Sequence, residues 1–143
     1  MTCPSTVSTK LILEAMQYYS GRGYTLRDVP QCVDFDVSQH TKPEGVPELF
    51  HRGMKVYVAS AEQSFMQLHK QGLLSEGRYM ALTPCYRHEA CLDDTHYSMF
   101  LKLELIAIGL TCSRNIAQQA KGFFDLCDIH CHVMPTSEGV ATF

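Results

Sequence analysis

Residues suited to chemistry are concentrated between positions 87 and 104 of this sequence. They are Arg87, Glu89, His96, Phe100 and Glu104. Side chains two residues apart on an extended strand point to the same face, so Arg87 and Glu89 are expected to project together. A guanidinium suits phosphate oxygens, an aromatic ring suits a flat base, and a carboxylate suits an exocyclic amine. With a histidine between them, these groups predict a nucleotide-binding site.

Two predicted strands, residues 78–87 and 99–108, position this set. The polar stretch 88–98 separates them, which is typical of an antiparallel hairpin with a long connecting loop. Alternation along the second strand places Phe100, Lys102 and Glu104 on one face. The other face carries Met99, Leu101, Leu103 and Leu105. We therefore expect a hairpin over residues 78–108.

Helices are predicted on both sides of the hairpin. The first runs from residue 8 or 9 to glycines at positions 21 and 23, with apolar residues at helical spacing. A second follows a buried strand at 55–59, because Ser60 and Gln63 form a capping-box pattern that opens a helix to about residue 71. Ser113 is predicted to cap a last helix.

The segment between the first helix and the buried strand reads as irregular. Residues 24–30 form a short strand candidate that Pro30 closes. Residues 31–52 contain Pro43, Gly45 and Pro47 among polar residues and are predicted to be a loop. A loop of this length in a compact domain is either functional or mobile. Residues 1–143 are expected to form a single domain.

Composition and charge narrow the class of protein. The chain is 45% hydrophobic and 19% charged, with a net charge of -3, as in ordinary soluble domains. No apolar run approaches the ~20 residues of a membrane span, and the N-terminus lacks the features of a signal peptide. A cytoplasmic protein with no membrane partner is expected. The charge argues against stable tRNA binding by this chain alone.

The hairpin stretch resembles the second signature motif of class II aminoacyl-tRNA synthetases, an arginine-x-glutamate strand, a loop, and a returning strand with phenylalanine and glutamate. Residues 8–30 are similar to the family's first motif, in which a helix, a strand and a proline build the dimer interface. Ser60-Ala-Glu62 is similar to the element that in many members holds the substrate's amino group, so Ser60 and Glu62 are the implied substrate-binding residues. Three matches in the family's chain order are more specific than one.

The resemblance implies roles for the hairpin residues. Arg87 would contact the α-phosphate of ATP and the substrate carboxylate, as the catalytic residue. Glu89 would meet the adenine amino group, and Phe100 would stack on adenine. His96 would lie near the terminal phosphates, and Glu104 would help to hold a magnesium ion. The implied reaction is attack of an amino acid carboxylate on the α-phosphate while cations neutralise the leaving pyrophosphate.

The sequence departs from the family at the third motif, a glycine-rich strand and helix with an arginine for the ATP γ-phosphate. No Gly-x-Gly-x-Glu-Arg pattern occurs in it. Loss of a comparable arginine costs about 10³ to 10⁵ in rate in other phosphoryl-transfer sites. The resemblance thus implies an α/β (α+β) fold, a truncated synthetase core with a mostly antiparallel sheet flanked by helices. It would retain part of an ATP or aminoacyl-adenylate site without full aminoacylation activity.

Two functions stay open at this point. The chain is either such a nucleotide-binding protein, acting alone or completed by another chain, or a non-catalytic paralogue that serves as a dimeric protein- or tRNA-interaction module. The first motif implies a homodimer through residues 23–30, from Gly23 to Pro30, and the preceding helix. The amino acid is open as well. Residues 93–104 lean towards phenylalanyl and phosphoseryl enzymes, and residues 82–90 towards seryl enzymes.

Simpler structural roles are available to the same residues. Arg87, Glu89 and Glu104 can form an ion-pair cluster on a solvated sheet face. Phe100 can be a core aromatic, Ser60 a helix cap, and Glu62 a first-turn carboxylate.

Thiols and imidazoles near the C-terminus are of the types that bind metal ions. The seven cysteines are expected to be free thiols in a reducing compartment. Cys127, Cys131 and His132 have the ligand types that suit zinc. There is no second ligand pair at finger-like distance, and two adjacent ligands fit one tetrahedral site poorly. Zinc binding is therefore not expected.

Overall fold

The computed structural model of the protein describes residues 3–93, 96–109, 113–136 and 139–142, with the side chains of residues 113, 114 and 135–142 left out. Four helices and seven strands are present in this part of the chain. They are α1 (Thr9–Ser20), β1 (Thr25–Leu26), β2 (Cys32–Asp34), α2 (Phe35–Ser38), β3 (Lys55–Tyr57), α3 (Ala61–Lys70), β4 (Gly77–Tyr86), β5 (Met99–Ile108), α4 (Ser113–Leu126), β6 (Val133–Thr136) and β7 (Gly139–Thr142). None of the described helices is long and apolar enough to cross a membrane.

A three-stranded sheet in the order β1-β4-β5 forms the centre of the fold. β4 and β5 are antiparallel along their whole lengths, from the Gly77–Ile108 pair to the Tyr86–Met99 pair. β1 adds a short parallel partner on the other side of β4. The predicted hairpin is therefore confirmed, with β5 at the predicted bounds and β4 displaced by one residue from the predicted 78–87.

The two faces of the sheet pack against different helices. On one face Met80, Leu103 and Leu105 contact a cluster formed with Tyr19 of α1 and Phe123 of α4. On the other face, residues at alternate positions contact α3 in a second cluster, namely Ala81, Ile106 and Ile108 with Ala61, Phe65 and Leu68. Side chains at alternate positions of the two strands therefore pack into two separate hydrophobic clusters, one on each face of the sheet.

The first helix begins and ends where its sequence predicts. The Ser8 hydroxyl oxygen accepts a hydrogen bond from the Leu11 N–H at 3.4 Å. Gly23 has φ +84°, a conformation that glycine adopts without steric cost, and the chain turns there into β1. Two tyrosines tie this region to α4: Tyr19 donates to the Ala120 carbonyl at 3.3 Å, and Tyr24 donates to Gln119 Oε1 at 2.7 Å. Burial raises the pKa of Tyr19 to about 12.

The prediction of a continuous loop over residues 31–52 is wrong for its first part. β2 pairs with β3 in an antiparallel two-stranded sheet, and α2 follows directly. Val33, Val56 and Val58 are fully buried in a third cluster, which supplies the stabilisation that local propensity does not predict. The strand predicted over residues 24–30 is reduced to Thr25–Leu26.

Past the sheet, α4 confirms the predicted last helix. The proposed cap by the Ser113 side chain lies outside the described residues. A β6–β7 hairpin follows α4 and was not predicted.

Candidate functional site

A cavity of about 470 Å³ opens beside the ends of β3, β4 and α3. Its lining comes from the loop over residues 41–49, Tyr57 of β3, the segment 59–63 that begins α3, residues 86–89, and Lys102 and Glu104 of β5. Five of the seven predicted site residues line it: Ser60, Glu62, Arg87, Glu89 and Glu104. The structure thus brings together five side chains from three separate stretches of the sequence.

Arg87 lies just past the end of β4, where the hairpin pairing continues for one more residue. Its backbone N–H donates to the Ser98 carbonyl at 3.0 Å, and the N–H of Tyr86 donates to the Val58 carbonyl at 2.8 Å. The end of β4 is thereby fixed between β5 and β3. Arg87 was predicted as the last residue of the strand, but β4 ends at Tyr86, and both Arg87 and Glu89 reach the cavity from the following loop.

The Arg87 guanidinium is held on two sides. Nε donates to the Ala59 carbonyl at 3.4 Å, and Cζ lies 5.0 Å from the centroid of the Phe100 ring. The second distance is within the range of a cation–π interaction. A guanidinium has five N–H donors and the bond to Ala59 uses one, so donors remain for an anionic ligand.

Phe100 lies on β5, where it is paired with Cys85 of β4, and it is partly buried. It lies outside the cavity lining formed by the described residues, and the face it presents to the site is occupied by Arg87. Stacking of adenine on Phe100 stays a prediction. A base that used this ring would contact the Arg87 guanidinium too.

His96 lies in the loop of the hairpin, where it pairs with Asp93. The His96 N–H donates to Asp93 Oδ1 at 2.8 Å, and Nδ1 lies 2.8 Å from the same oxygen. The hydrogen bond between the two side chains, with the Asp93 charge and a smaller contribution from Glu89, raises the pKa of His96 above its ordinary value. The ring is exposed and is not among the described residues that line the cavity. Contact with terminal phosphates stays a prediction.

Ser60 and Glu62 are at the start of α3, as the capping pattern predicts. The Ser60 hydroxyl oxygen accepts from the Glu62 N–H at 3.3 Å. Gln63 departs from the usual capping box, because its Oε1 accepts from the N–H of Ala59 at 2.8 Å rather than from that of Ser60. Its amide nitrogen also donates to the Ser38 carbonyl at 3.2 Å. Gln63, 3% exposed, therefore ties the start of α3 to α2.

Glu104 lines the cavity in a close ion pair. Its Oε2 is buried and lies 2.9 Å from Lys102 Nζ, yet it has no hydrogen bond of acceptable geometry within the described part of the chain. Magnesium prefers several oxygen ligands in octahedral geometry. The ammonium group of Lys102 already lies against the carboxylate oxygen that would bind the ion. No three His, Cys, Asp or Glu side chains converge on a metal-sized site among the described residues. The arrangement therefore does not fit a magnesium ion at Glu104.

The opposite wall of the cavity comes from the loop over residues 41–49. Lys42 donates to the Val46 carbonyl at 2.6 Å and lies 3.7 Å from Glu48, which accepts from Ser38 at 2.7 Å. The rings of Tyr57 and Tyr86 add an aromatic surface, with centroids 4.7 Å apart. These residues were not predicted as part of a site. The only sequence feature that pointed to them is the length of the loop, since long loops in compact domains are functional or mobile.

The cysteines and histidines at positions 127–132 do not come together as a metal site in the described structure. Cys131 is buried, whereas His130 and His132 are exposed. The absence of zinc stays a prediction.

Two solved structures are similar to this chain over most of its length. One is PylSc of Desulfitobacterium hafniense, a pyrrolysyl-tRNA synthetase, with a TM-score of 0.69 and 15% sequence identity over 93% of this chain and 50% of that one. Another pyrrolysyl-tRNA synthetase structure from the same organism gives a TM-score of 0.73 and 16% identity, over 94% of this chain and 54% of that one. No protein-family model and no curated protein matches the chain.

The chain has the fold of part of a class II aminoacyl-tRNA synthetase catalytic domain. The α+β architecture with its antiparallel hairpin is therefore confirmed. At these identities the likeness concerns the fold alone, and the chain spans about half the length of both synthetase structures. The leanings towards phenylalanyl, phosphoseryl or seryl enzymes stay predictions.

Proposed function

We propose that this class II synthetase-like chain binds adenine nucleotides or aminoacyl-adenylates in the cavity beside α3, without full aminoacylation activity of its own. The observation that carries the proposal is the convergence of Arg87 and Glu89 with Ser60 and Glu62 around one cavity of about 470 Å³. A cavity of this volume is within the usual range for small-molecule sites. Cytoplasmic location is part of the same proposal.

The chemistry of the lining residues supports a ligand that carries both a phosphate and amino groups. Arg87 is a planar donor that suits phosphate and carboxylate oxygens. Glu89 and Glu62 are acceptors for amino groups, and both line the same cavity. If the amino acid carboxylate attacked the α-phosphate, Arg87 would stabilise the charge that develops on the phosphate oxygens. The sequence has no counterpart of the third-motif arginine for the γ-phosphate.

Amino-acid-dependent exchange of pyrophosphate into ATP tests the catalytic half of the proposal. The pure chain is expected to exchange far more slowly than ordinary enzymes, which turn over at about 1 s⁻¹ or faster. Exchange at ordinary rates would show that another residue replaces the missing arginine. An Arg87→Ala variant supplies the background rate for the assay.

A second candidate function is a non-catalytic module that acts through dimerisation or through a protein or tRNA partner. Exposed leucines on the segment similar to the first motif favour it. Leu11 and Leu13 of α1 and Leu26 of β1 are 39%, 53% and 48% exposed. A homodimer through residues 23–30 and α1 would cover such side chains. The net charge of -3 favours a protein partner over tRNA.

A further inference from the structure

The part of the cavity lining that β5 contributes includes a cationic side chain, that of Lys102. Lys102 and Glu104 are two residues apart on the strand and therefore point to the same face. Lys102 Nζ lies 2.9 Å from Glu104 Oε2, and the side chains are 38% and 19% exposed. Oε2 is buried and lacks a hydrogen bond within the described chain, so the Lys102 charge is its nearest compensation.

This pair leaves little room for a divalent cation on the same carboxylate. A magnesium ion would have to approach Oε2 to about 2.0–2.1 Å. The ammonium group is already in contact with that oxygen, and two cations that share one carboxylate repel each other. Binding of magnesium at Glu104 would require Lys102 to move away.

We propose that the Lys102 ammonium takes the place of a metal ion in this cavity, so that phosphate-bearing ligands bind without magnesium. The inference rests on the proposed nucleotide site and specifies its ligand as the metal-free anion. An ammonium group has three N–H donors. One faces Glu104 and the others are available to phosphate oxygens. Glu104 then positions Lys102 rather than a metal.

Calorimetric titration with ATP, in EDTA and in excess magnesium, tests the inference on three proteins. The wild-type dissociation constant is expected to differ by less than about threefold between the two buffers. Lys102→Met is expected to weaken binding in EDTA by roughly 10- to 150-fold. Magnesium should restore part of that loss, because Glu104 is then free to bind the ion. Lys121→Met is the matched control, since Lys121 also pairs with a carboxylate, that of Asp125, but on α4.

The outcomes separate this inference from the proposed function. If wild-type protein binds ATP only with magnesium, and Glu104→Gln loses that binding, the nucleotide site stands and the role of Lys102 is wrong. If ATP binds in neither buffer, both are wrong.

A second variant guards against misfolding of Lys102→Met, which leaves a buried carboxylate without its partner. The double variant Lys102→Met/Glu104→Gln removes both charges. It is expected to lose the same affinity in EDTA and to regain none with magnesium. Wild-type affinity in the double variant would overturn the inference.

Discussion

At the scale of single residues, Arg87 in the cavity and His96 in the hairpin loop are cationic side chains held by different neighbours. Arg87 is held between the Ala59 carbonyl and the Phe100 ring, so less side-chain entropy is lost when it binds a ligand. His96 lies in the hairpin loop against Asp93. The two differ in one respect: the charge of Arg87 is constant, whereas that of His96 depends on pH.

The His96–Asp93 pair predicts a pH-dependent charge in the loop. Since Asp93 raises the pKa of His96 above 6.5, the pair favours the folded protein fully below that value and loses its effect as pH rises through the folded pKa. Asp93→Asn is expected to move the His96 pKa back towards its ordinary value. A ¹H–¹⁵N NMR titration of the imidazole measures the shift.

Glu89 contributes less to the same shift, so Glu89→Gln should lower the His96 pKa by a smaller amount than Asp93→Asn. Asp125→Asn on α4 is the matched control and should leave the titration unchanged. If Asp93→Asn leaves the midpoint where it is, the pair does not persist in solution.

At the scale of elements, the start of α3 is the structural support of the site, because both Ser60 and Glu62 depend on it. Ser60→Ala removes the N-cap and is expected to lower the free energy of unfolding by about 1 kcal/mol. Ser60→Asp should retain most of the stability, since aspartate is an equally good N-cap. Urea denaturation of the three proteins gives the comparison. An unchanged midpoint for Ser60→Ala would mean that Gln63 alone fixes the helix start.

The elements that could be predicted are those whose signal is local. β5 was predicted at its observed bounds because Met99–Ile108 is a continuous apolar run in which only Lys102 and Glu104 alternate with leucines. The helices α1 and α3 have hydroxyl caps and following glycines. β2 and α2 were missed because their stability comes from packing of Val33 and Val37 against distant valines. Short segments of this kind carry no periodicity long enough to recognise.

The residues of the candidate site also fall into those that could be predicted from the sequence and those that could not. Arg87 and Glu89 lie in one contiguous pattern, and the resemblance to class II synthetases implied that Ser60 and Glu62 act with them. Lys42 and the rest of the 41–49 wall reach the cavity through the path of the chain alone. The Lys102–Glu104 pair was visible as two residues on one strand face, but its closeness and the burial of Oε2 follow from three-dimensional packing.

At the scale of the whole molecule, the exposed leucines of α1 and β1 predict a homodimer. β1 has β4 on one side only in the described sheet, and Leu26 next to that open edge is 48% exposed. Light scattering is expected to give twice the chain mass at micromolar concentration. Leu26→Lys should shift the protein towards monomer, because a charge in an apolar interface carries a desolvation cost.

Leu92→Lys is the matched control, with Leu92 47% exposed in the hairpin loop, and should leave the mass unchanged. A monomer mass for the wild type across micromolar concentrations would contradict the dimer. A dimer that survives Leu26→Lys would place the interface elsewhere.

The central claim is that the cavity of this synthetase-like fold binds adenine nucleotides through Arg87. Loss of one charge-assisted contact of about 1.5–3 kcal/mol, that of the missing third-motif arginine, would weaken a micromolar site by roughly 10- to 150-fold. Weak binding, up to the millimolar range, is therefore expected. Arg78, at the far end of β4 and with its guanidinium bonded to the Arg22 carbonyl at 3.3 Å, offers a matched control.

The most direct measurement is calorimetric titration of ATP into wild-type protein, Arg87→Ala and Arg78→Ala. The account predicts saturable binding to the wild type and to Arg78→Ala, and no detectable binding to Arg87→Ala. Equal affinity of Arg87→Ala and wild type, or no binding to the wild type at millimolar ATP, would contradict it.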